Sequence, residues 1–451
     1  MRTPRYPSTP SIEQTYPSPR WSGEITDCSM PLTFDQYSRC SFDCLYCFSF
    51  FQRALKQFNT LYNIDNNYLQ VPVTSVDVKK ALSYLTGTSN SVSGKQFEPY
   101  IKQRIPFQWG GLSDPFDMYE KKYGVGLQIL KPLAALKYPI CFSTKSTWWA
   151  YDKRYIDLFK QAENWNVKIS IICLNEKKAA LIERGVPSPL LRLDAMQQVS
   201  EFANGVTLRL RPFIVGLSGD DYEELITEAK DHGATAVSTE FFCLESRAHT
   251  ELKERYAKIS EVVGFDILDF YRKNSSGSGY LRLNWKIKEK YVNKMEALCK
   301  KLGLRFYVSD ADFKERSCNG SCCGLDKTWN YNRGQLTEVL VNSRQRYEDF
   351  LKRHPADVTG AAQASTVKYD EFYKGINDIF GFRWRHAQNY NTGGSKRRTK
   401  YNNMTMADFI RYLWNTPKEQ NSPWNYFSGL LKPVSKDENG NLVYVFNPSR
   451  K

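Results

Sequence analysis

The sequence predicts an α/β fold, a partial, open barrel of about six β/α units followed by a mixed α+β C-terminal extension. Three observations predict it. Strand-like and helix-like segments alternate through the middle of the chain, a strongly β-branched run marks a strand buried on both faces, and the alternation stops after residue 312. Alternation of this kind implies right-handed crossovers and a parallel sheet.

A first strand is expected just before Tyr37. Residues 105–111 form a short apolar run ending in Gly110 and Gly111, and residues 119–136 carry apolar side chains at helical spacing. Residues 139–144 read as a strand, 155–165 as a helix, and 167–174 as the β-branched buried strand. Ser188 caps the next helix, with Pro189 in its first turn, where a missing N–H costs nothing. Residues 206–215 and 234–241 read as strands around a helix at 222–231; a helix at 285–302 and a strand at 304–308 close the series. In such a fold, chemistry gathers at the carboxyl ends of the strands.

The chain divides into a Pro/Ser-rich arm (residues 1–26), the partial barrel (27–312) and a C-terminal region (313–451). The arm has no apolar core, so it does not read as a secretory signal; it is either disordered or laid over the domain that follows. Within the C-terminal region, residues 360–366 read as a linker, 369–380 and 406–414 as helices, and Asn439-Gly440 as a hairpin turn. No internal repeat is visible.

At 451 residues, 41% hydrophobic and 25% charged, the composition is that of a soluble globular protein with room for two domains. No run approaches the roughly 18 apolar residues of a membrane span, and a cytoplasmic location is expected. The net charge of +15 favours polyanionic partners. Eleven cysteines are too many to ignore, yet so large a chain needs no disulfide framework. Their odd number and clustering favour a reducing compartment and metal ligation. The four histidines include no pair at helical ligand spacing, which argues against a histidine-built zinc site.

Residues 39–47 read Arg-Cys-Ser-Phe-Asp-Cys-Leu-Tyr-Cys, placing Cys40, Cys44 and Cys47 in a C-x3-C-x2-C pattern. Three thiolates can hold a [4Fe–4S] cluster while leaving one iron open to a small molecule. A zinc knuckle completed by a remote cysteine such as Cys28 is the plainer alternative, but zinc favours paired C-x2-C units and no second pair exists.

At these residues the sequence resembles the radical S-adenosylmethionine (SAM) superfamily, and within it spore photoproduct lyase and its relatives. The resemblance runs over roughly residues 27–241 and rests on four further strand ends. Gly110-Gly111-Leu112-Ser113-Asp114-Pro115 is similar to the family's Ser-Asp turn. Ser143-Thr144-Lys145-Ser146 resembles its Thr-Lys strand end, Ser170 a SAM-facing serine, and Arg211-Pro212 the strand beside the adenosine. The resemblance implies that the open iron chelates SAM and that reduction releases a 5′-deoxyadenosyl radical. It further implies that Tyr46, Gly111, Ser113, Asp114, Lys145, Ser170 and Arg211 bind the cofactor, and that a flavodoxin- or ferredoxin-type donor supplies the electron. Independently of the family, a SAM carboxylate needs a cation, and a strand-end lysine supplies one.

Two departures separate this chain from photoproduct repair. The hydrogen-donating cysteine of the family falls on Gly111, and the tyrosine after the third cluster cysteine on Phe48. Neither can pass a hydrogen atom from S–H or O–H, so photoproduct repair by the same route is not expected; the scaffold and radical chemistry carry over and the substrate does not. Cys141 lies on the strand leading to Lys145, where a cysteine is ordinarily a small hydrophobe; no catalytic residue is assigned.

Cys318, Cys322 and Cys323 form a second cluster, a candidate auxiliary metal site whose alternative is a metal-free thiol group. Residues 381–400 hold Arg383, Arg385, Lys396, Arg397, Arg398 and Lys400 with no acid, interleaved with Trp384, His386 and Tyr390. Cations that pair phosphates and rings that stack on bases suit a nucleic acid. The sequence therefore predicts a radical SAM enzyme acting on a nucleobase or nucleic acid. Peptide modification with an auxiliary cluster, or a non-catalytic zinc-stabilised nucleic-acid-binding protein, are the alternatives.

Overall fold

The computed structural model describes residues 17–21, 30, 32–49, 73–102, 104, 106–246, 250–275, 280–310, 313, 316–318, 366–367, 411–412, 414–417 and 431–446. The chain forms two units, one of Met1–Arg20 with Leu32–Phe306 and one of Trp21–Pro31 with Tyr307–Lys451.

In the first unit, strands Leu32–Phe34 (β1), Phe107–Trp109 (β2), Ile140–Thr144 (β3), Asn166–Ser170 (β4), Gly205–Phe213 (β5) and Ala236–Phe241 (β6) lie side by side in chain order. Every neighbouring pair is parallel. A strand beginning at Arg20 flanks β1 and one beginning at Arg305 flanks β6. The order is linear, so the described sheet is a partial barrel and not a closed one.

The helices are Val78–Leu85 (α1), Val92–Lys102 (α2), Met118–Tyr123 (α3), Val125–Ala135 (α4), Lys153–Ala162 (α5), Glu176–Ile182 (α6), Pro189–Ser200 (α7), Ser218–Asp231 (α8), Thr250–Val263 (α9), Ile267–Asn274 (α10) and Trp285–Lys301 (α11). Strand residues alternate between faces, and the two faces differ. Phe142 meets Phe159 of α5 at 5.2 Å, and Phe213 meets Tyr222 of α8 at 5.6 Å and Tyr291 of α11 at 4.9 Å. That face is aromatic and branched aliphatic, and the helices cover it. Register places Thr33, Gln108, Ser143, Lys168, Ser170, Thr207, Arg209 and Ser238 on the other. The β-branched strand is buried along its whole length, as expected, but one of its faces is polar.

The helix expected over 119–136 is two helices. Gly124 takes φ 62° between them, ending α3 and opening α4. The buried Glu120 carboxylate accepts Gly126 N and Leu127 N, each at 2.8 Å, satisfying the otherwise unbonded first turn of α4. Buried side chains recur on both sides of the break, from Tyr119 to Leu127, Leu130 and Ala134, which is why periodicity alone joins the two helices. The Ser188 cap forms as expected, accepting Leu191 N at 3.4 Å with Pro189 first in α7.

In the second unit, Leu431–Lys436 and Leu442–Phe446 pair antiparallel across Asn439-Gly440, with Gly440 at φ 77°. The Asp437 carboxylate fixes this turn by accepting Asn439 N and Asn441 N, each at 2.9 Å. The expected helix at 369–380 and the basic segment at 381–400 lie outside the described residues. Among the described residues no helix is long and apolar enough to cross a membrane.

Candidate active site at the carboxyl ends of the strands

The three-cysteine loop follows β1 and is fixed from several sides. Ser41 N donates to Asp117 Oδ2 at 2.6 Å, and Asp117 also caps α3 through Tyr119 N at 3.0 Å. Burial pushes the Asp117 carboxyl up to about 7. Tyr37, just upstream, donates to Glu120 at 2.9 Å. Asp43 pairs with Arg184 and, at 2.7 Å, with Arg255, whose guanidinium also donates to the Cys44 carbonyl at 3.2 Å. Asp43–Cys44 forms a short antiparallel ladder with Glu183–Arg184.

Cys47 N donates to the Cys44 carbonyl at 3.1 Å, and the Cys40 sulfur accepts Phe42 N at 3.4 Å. Burial raises the Cys44 thiol above its ordinary value, and Lys145 pulls it the other way. Burial also raises Cys40, reinforced by Asp117 and Asp114. The three sulfurs share one loop, although among the described residues no three Cys, His, Asp or Glu side chains are drawn into one ligating shell. Soft thiols on a loop whose backbone is held by carboxylates and arginine fit an iron–sulfur cluster.

Lys145 follows β3, and its ammonium lies 5.7 Å from the centre of the Tyr46 ring. The expected cation therefore reaches the cysteine loop. The Tyr46 hydroxyl donates to Glu183, Arg192 pairs with Glu183 at 2.6 Å, and Arg192 donates to the Ser170 carbonyl at 2.6 Å. This buried chain of bonds ties the cysteine loop to the end of β4.

The Ser-Asp turn is held through Asp35, just past β1. Asp35 Oδ1 accepts Leu112 N at 2.9 Å, Ser113 N at 2.8 Å and Ser113 Oγ at 2.9 Å, while Oδ2 pairs with Arg20 at 2.5 Å. Asp114 accepts Thr144 Oγ1 at 2.7 Å, Phe116 N at 3.0 Å and Lys145 N at 2.5 Å. Both its oxygens face the protein, so it joins the ends of β2 and β3 and orients Lys145. A β-carbon on Gly111 would lie 1.9 Å from Thr33 Oγ1. Arg211 pairs with Glu240 on β6. Phe48 is exposed.

The structure thus brings Cys44, Tyr46, Lys145 and Ser170 into one neighbourhood and sets Ser113 and Asp114 on adjoining strand ends. Of the second cluster only Cys318 is described, half-buried; Cys322 and Cys323 lie outside the described residues. Sequence reasoning missed Asp35, Asp117, Glu183, Arg192 and Arg255. Asp117 alone left a local trace, as an acidic cap before a helix; the others act across long sequence separations.

Fold and site together define an α/β partial barrel with its candidate site residues at the carboxyl ends of parallel strands. Solved structures similar to this chain include spore photoproduct lyase in a cysteine-to-serine mutant and in a tyrosine-to-phenylalanine mutant, each at TM-score 0.47. A third is a double mutant with bound AdoMet and dinucleoside spore photoproduct, at TM-score 0.46. Each is 15% identical, covering 66% of this chain and 80% of the other. No family model and no curated protein matches.

Proposed function

We propose that this protein is a radical SAM enzyme whose cluster ligands are Cys40, Cys44 and Cys47, acting on a nucleobase or nucleotide. The observation that carries the reading is the joining of the C-x3-C-x2-C loop to the strand-end lysine, with Lys145 over Tyr46. When bound, cluster and SAM supply one-electron cleavage of a carbon–sulfur bond and, from it, a species that abstracts hydrogen.

The chain's own residues bind and orient. Lys145, its backbone fixed by Asp114, offers its ammonium to a carboxylate. Ser113 donates its hydroxyl proton to Asp35, which leaves its oxygen lone pairs for a ligand N–H. The Glu183–Arg192 pair keeps Tyr46 and the end of β4 at a set separation. Gly111 and Phe48 carry no S–H or O–H hydrogen, so a thiol or phenol that quenches a product radical would have to lie elsewhere. An external donor of flavodoxin or ferredoxin type supplies the electron.

The test is anaerobic. Protein purified and reconstituted under exclusion of oxygen is expected to be brown, to hold iron and sulfide, and to convert SAM to 5′-deoxyadenosine when reduced with dithionite. A colourless zinc protein that leaves SAM intact would end this reading.

A further inference from the structure

Ser143, Lys168 and Thr207 are register partners on β3, β4 and β5, on the sheet face away from the helices. Neighbours in such a row stand about 4.8 Å apart. They are 5%, 6% and 7% exposed. Among the described residues, no carboxylate lies within salt-bridge distance of the Lys168 ammonium. Its side-chain partner is the Cys141 thiol, whose proton burial holds more tightly, and Arg209 stands one layer further along β5. Thr207 makes no side-chain hydrogen bond to the described residues. Ser143 Oγ accepts from Gln108 at 2.9 Å, which leaves its own proton to donate. On the same face, Thr33 Oγ1 is buried without a partner among the described residues.

Lys168 is a buried lysine whose register partners on either side carry hydroxyls, and no carboxylate pairs with it among the described residues; a charge withdrawn from water without a negative partner is unfavourable. We propose that this row is an oxyanion subsite that takes the terminal phosphate of a phosphomonoester substrate. Three neighbouring donors match the three terminal oxygens of a phosphomonoester better than the two of a carboxylate. The burial excludes an internal phosphodiester, because a chain continuing on both sides needs two ways out. The row lies one layer inside Ser170, so the phosphate anchors the substrate below the cofactor site. The inference rests on the nucleotide-type reading above, but binding is measured directly and needs no SAM cleavage, so the two fail separately.

The experiment is calorimetric titration of the anaerobically reconstituted protein with inorganic phosphate, thymidine 5′-monophosphate and a dinucleoside monophosphate whose only phosphate is internal. The expected result is saturable binding of the first two at constant ionic strength, with the third at least about tenfold weaker. Lys168→Met removes the charge while keeping the chain length, and is expected to weaken phosphate binding about tenfold or more. Thr207→Asp places a carboxylate beside Lys168, folds with its charge paired, and is expected to abolish binding; it carries the test if Lys168→Met does not fold. Phosphate bound equally by wild type and both variants, no binding by wild type, or an internal phosphodiester bound as tightly as the monophosphate would each overturn the proposal.

Discussion

A β-carbon built on Gly111 would lie 1.9 Å from the Thr33 hydroxyl and 3.0 Å from its β-carbon, so the position is closed to side chains by a neighbouring strand. Gly111→Ala should therefore destabilise the fold by about 1–3 kcal/mol through overpacking. Adding Thr33→Ala should recover most of that loss, because the orphaned hydroxyl it deletes is the atom in the way. Urea unfolding of both variants checks this, and a single mutant as stable as wild type would contradict it. The sequence marks Gly111 as a departure from the family but cannot say what fills its place, because Thr33 lies far upstream and meets it only through the pairing of β1 and β2. Cys40, Cys44, Cys47 and Lys145 were legible since each sits in a short local pattern. Glu183 and Arg192 were not, since neither has a signature until the loops around them close.

Among the elements, the buried Glu183–Arg192 pair joins the short strand after α6 to α7, and its two side chains are about 1% exposed. Removing one partner leaves a buried charge alone, so Glu183→Ala should cost about 3–5 kcal/mol. The double change Glu183→Met with Arg192→Met should recover much of this, less about 1–3 kcal/mol for the Tyr46 hydroxyl and Ser170 carbonyl left without partners. A double variant no more stable than Glu183→Ala would refute the argument.

Asp117 gives the loop anchor a pH dependence. Its folded-state value of about 7 lies above the ordinary 3.8, so the folded protein binds the proton more tightly. Its contribution to stability is full below pH 3.8 and is lost as pH rises through about 7. In cluster-free protein, the fall in unfolding free energy between these values should shrink in Asp117→Asn; equal slopes would count against it. Element positions were largely readable because parallel strands and their helices carry strong periodic signals. The break at Gly124 was hidden, because the cap that creates it is the side chain of Glu120, supplied from the preceding helix.

Across the whole molecule, sequential parallel pairing sorts apolar strand residues toward the helices and polar ones to the opposite face. The alternating segments foretell such a sheet, but the cationic row at Lys168 emerges only when β3, β4 and β5 are set in register. A run such as Asn-Val-Lys-Ile-Ser shows its period, not what stands beside its lysine. The Arg20–Asp35 pair carries a last consequence. A chain shortened to begin at residue 27 would keep every cysteine and all of β1–β6, yet lose the flanking strand that begins at Arg20 and surrender the guanidinium that braces the Asp35 side chain under the Ser113 turn. Arg20 sits in the stretch that looks most dispensable by composition, yet it is the guy-rope of the Ser113 turn, and trimming it should slacken that turn.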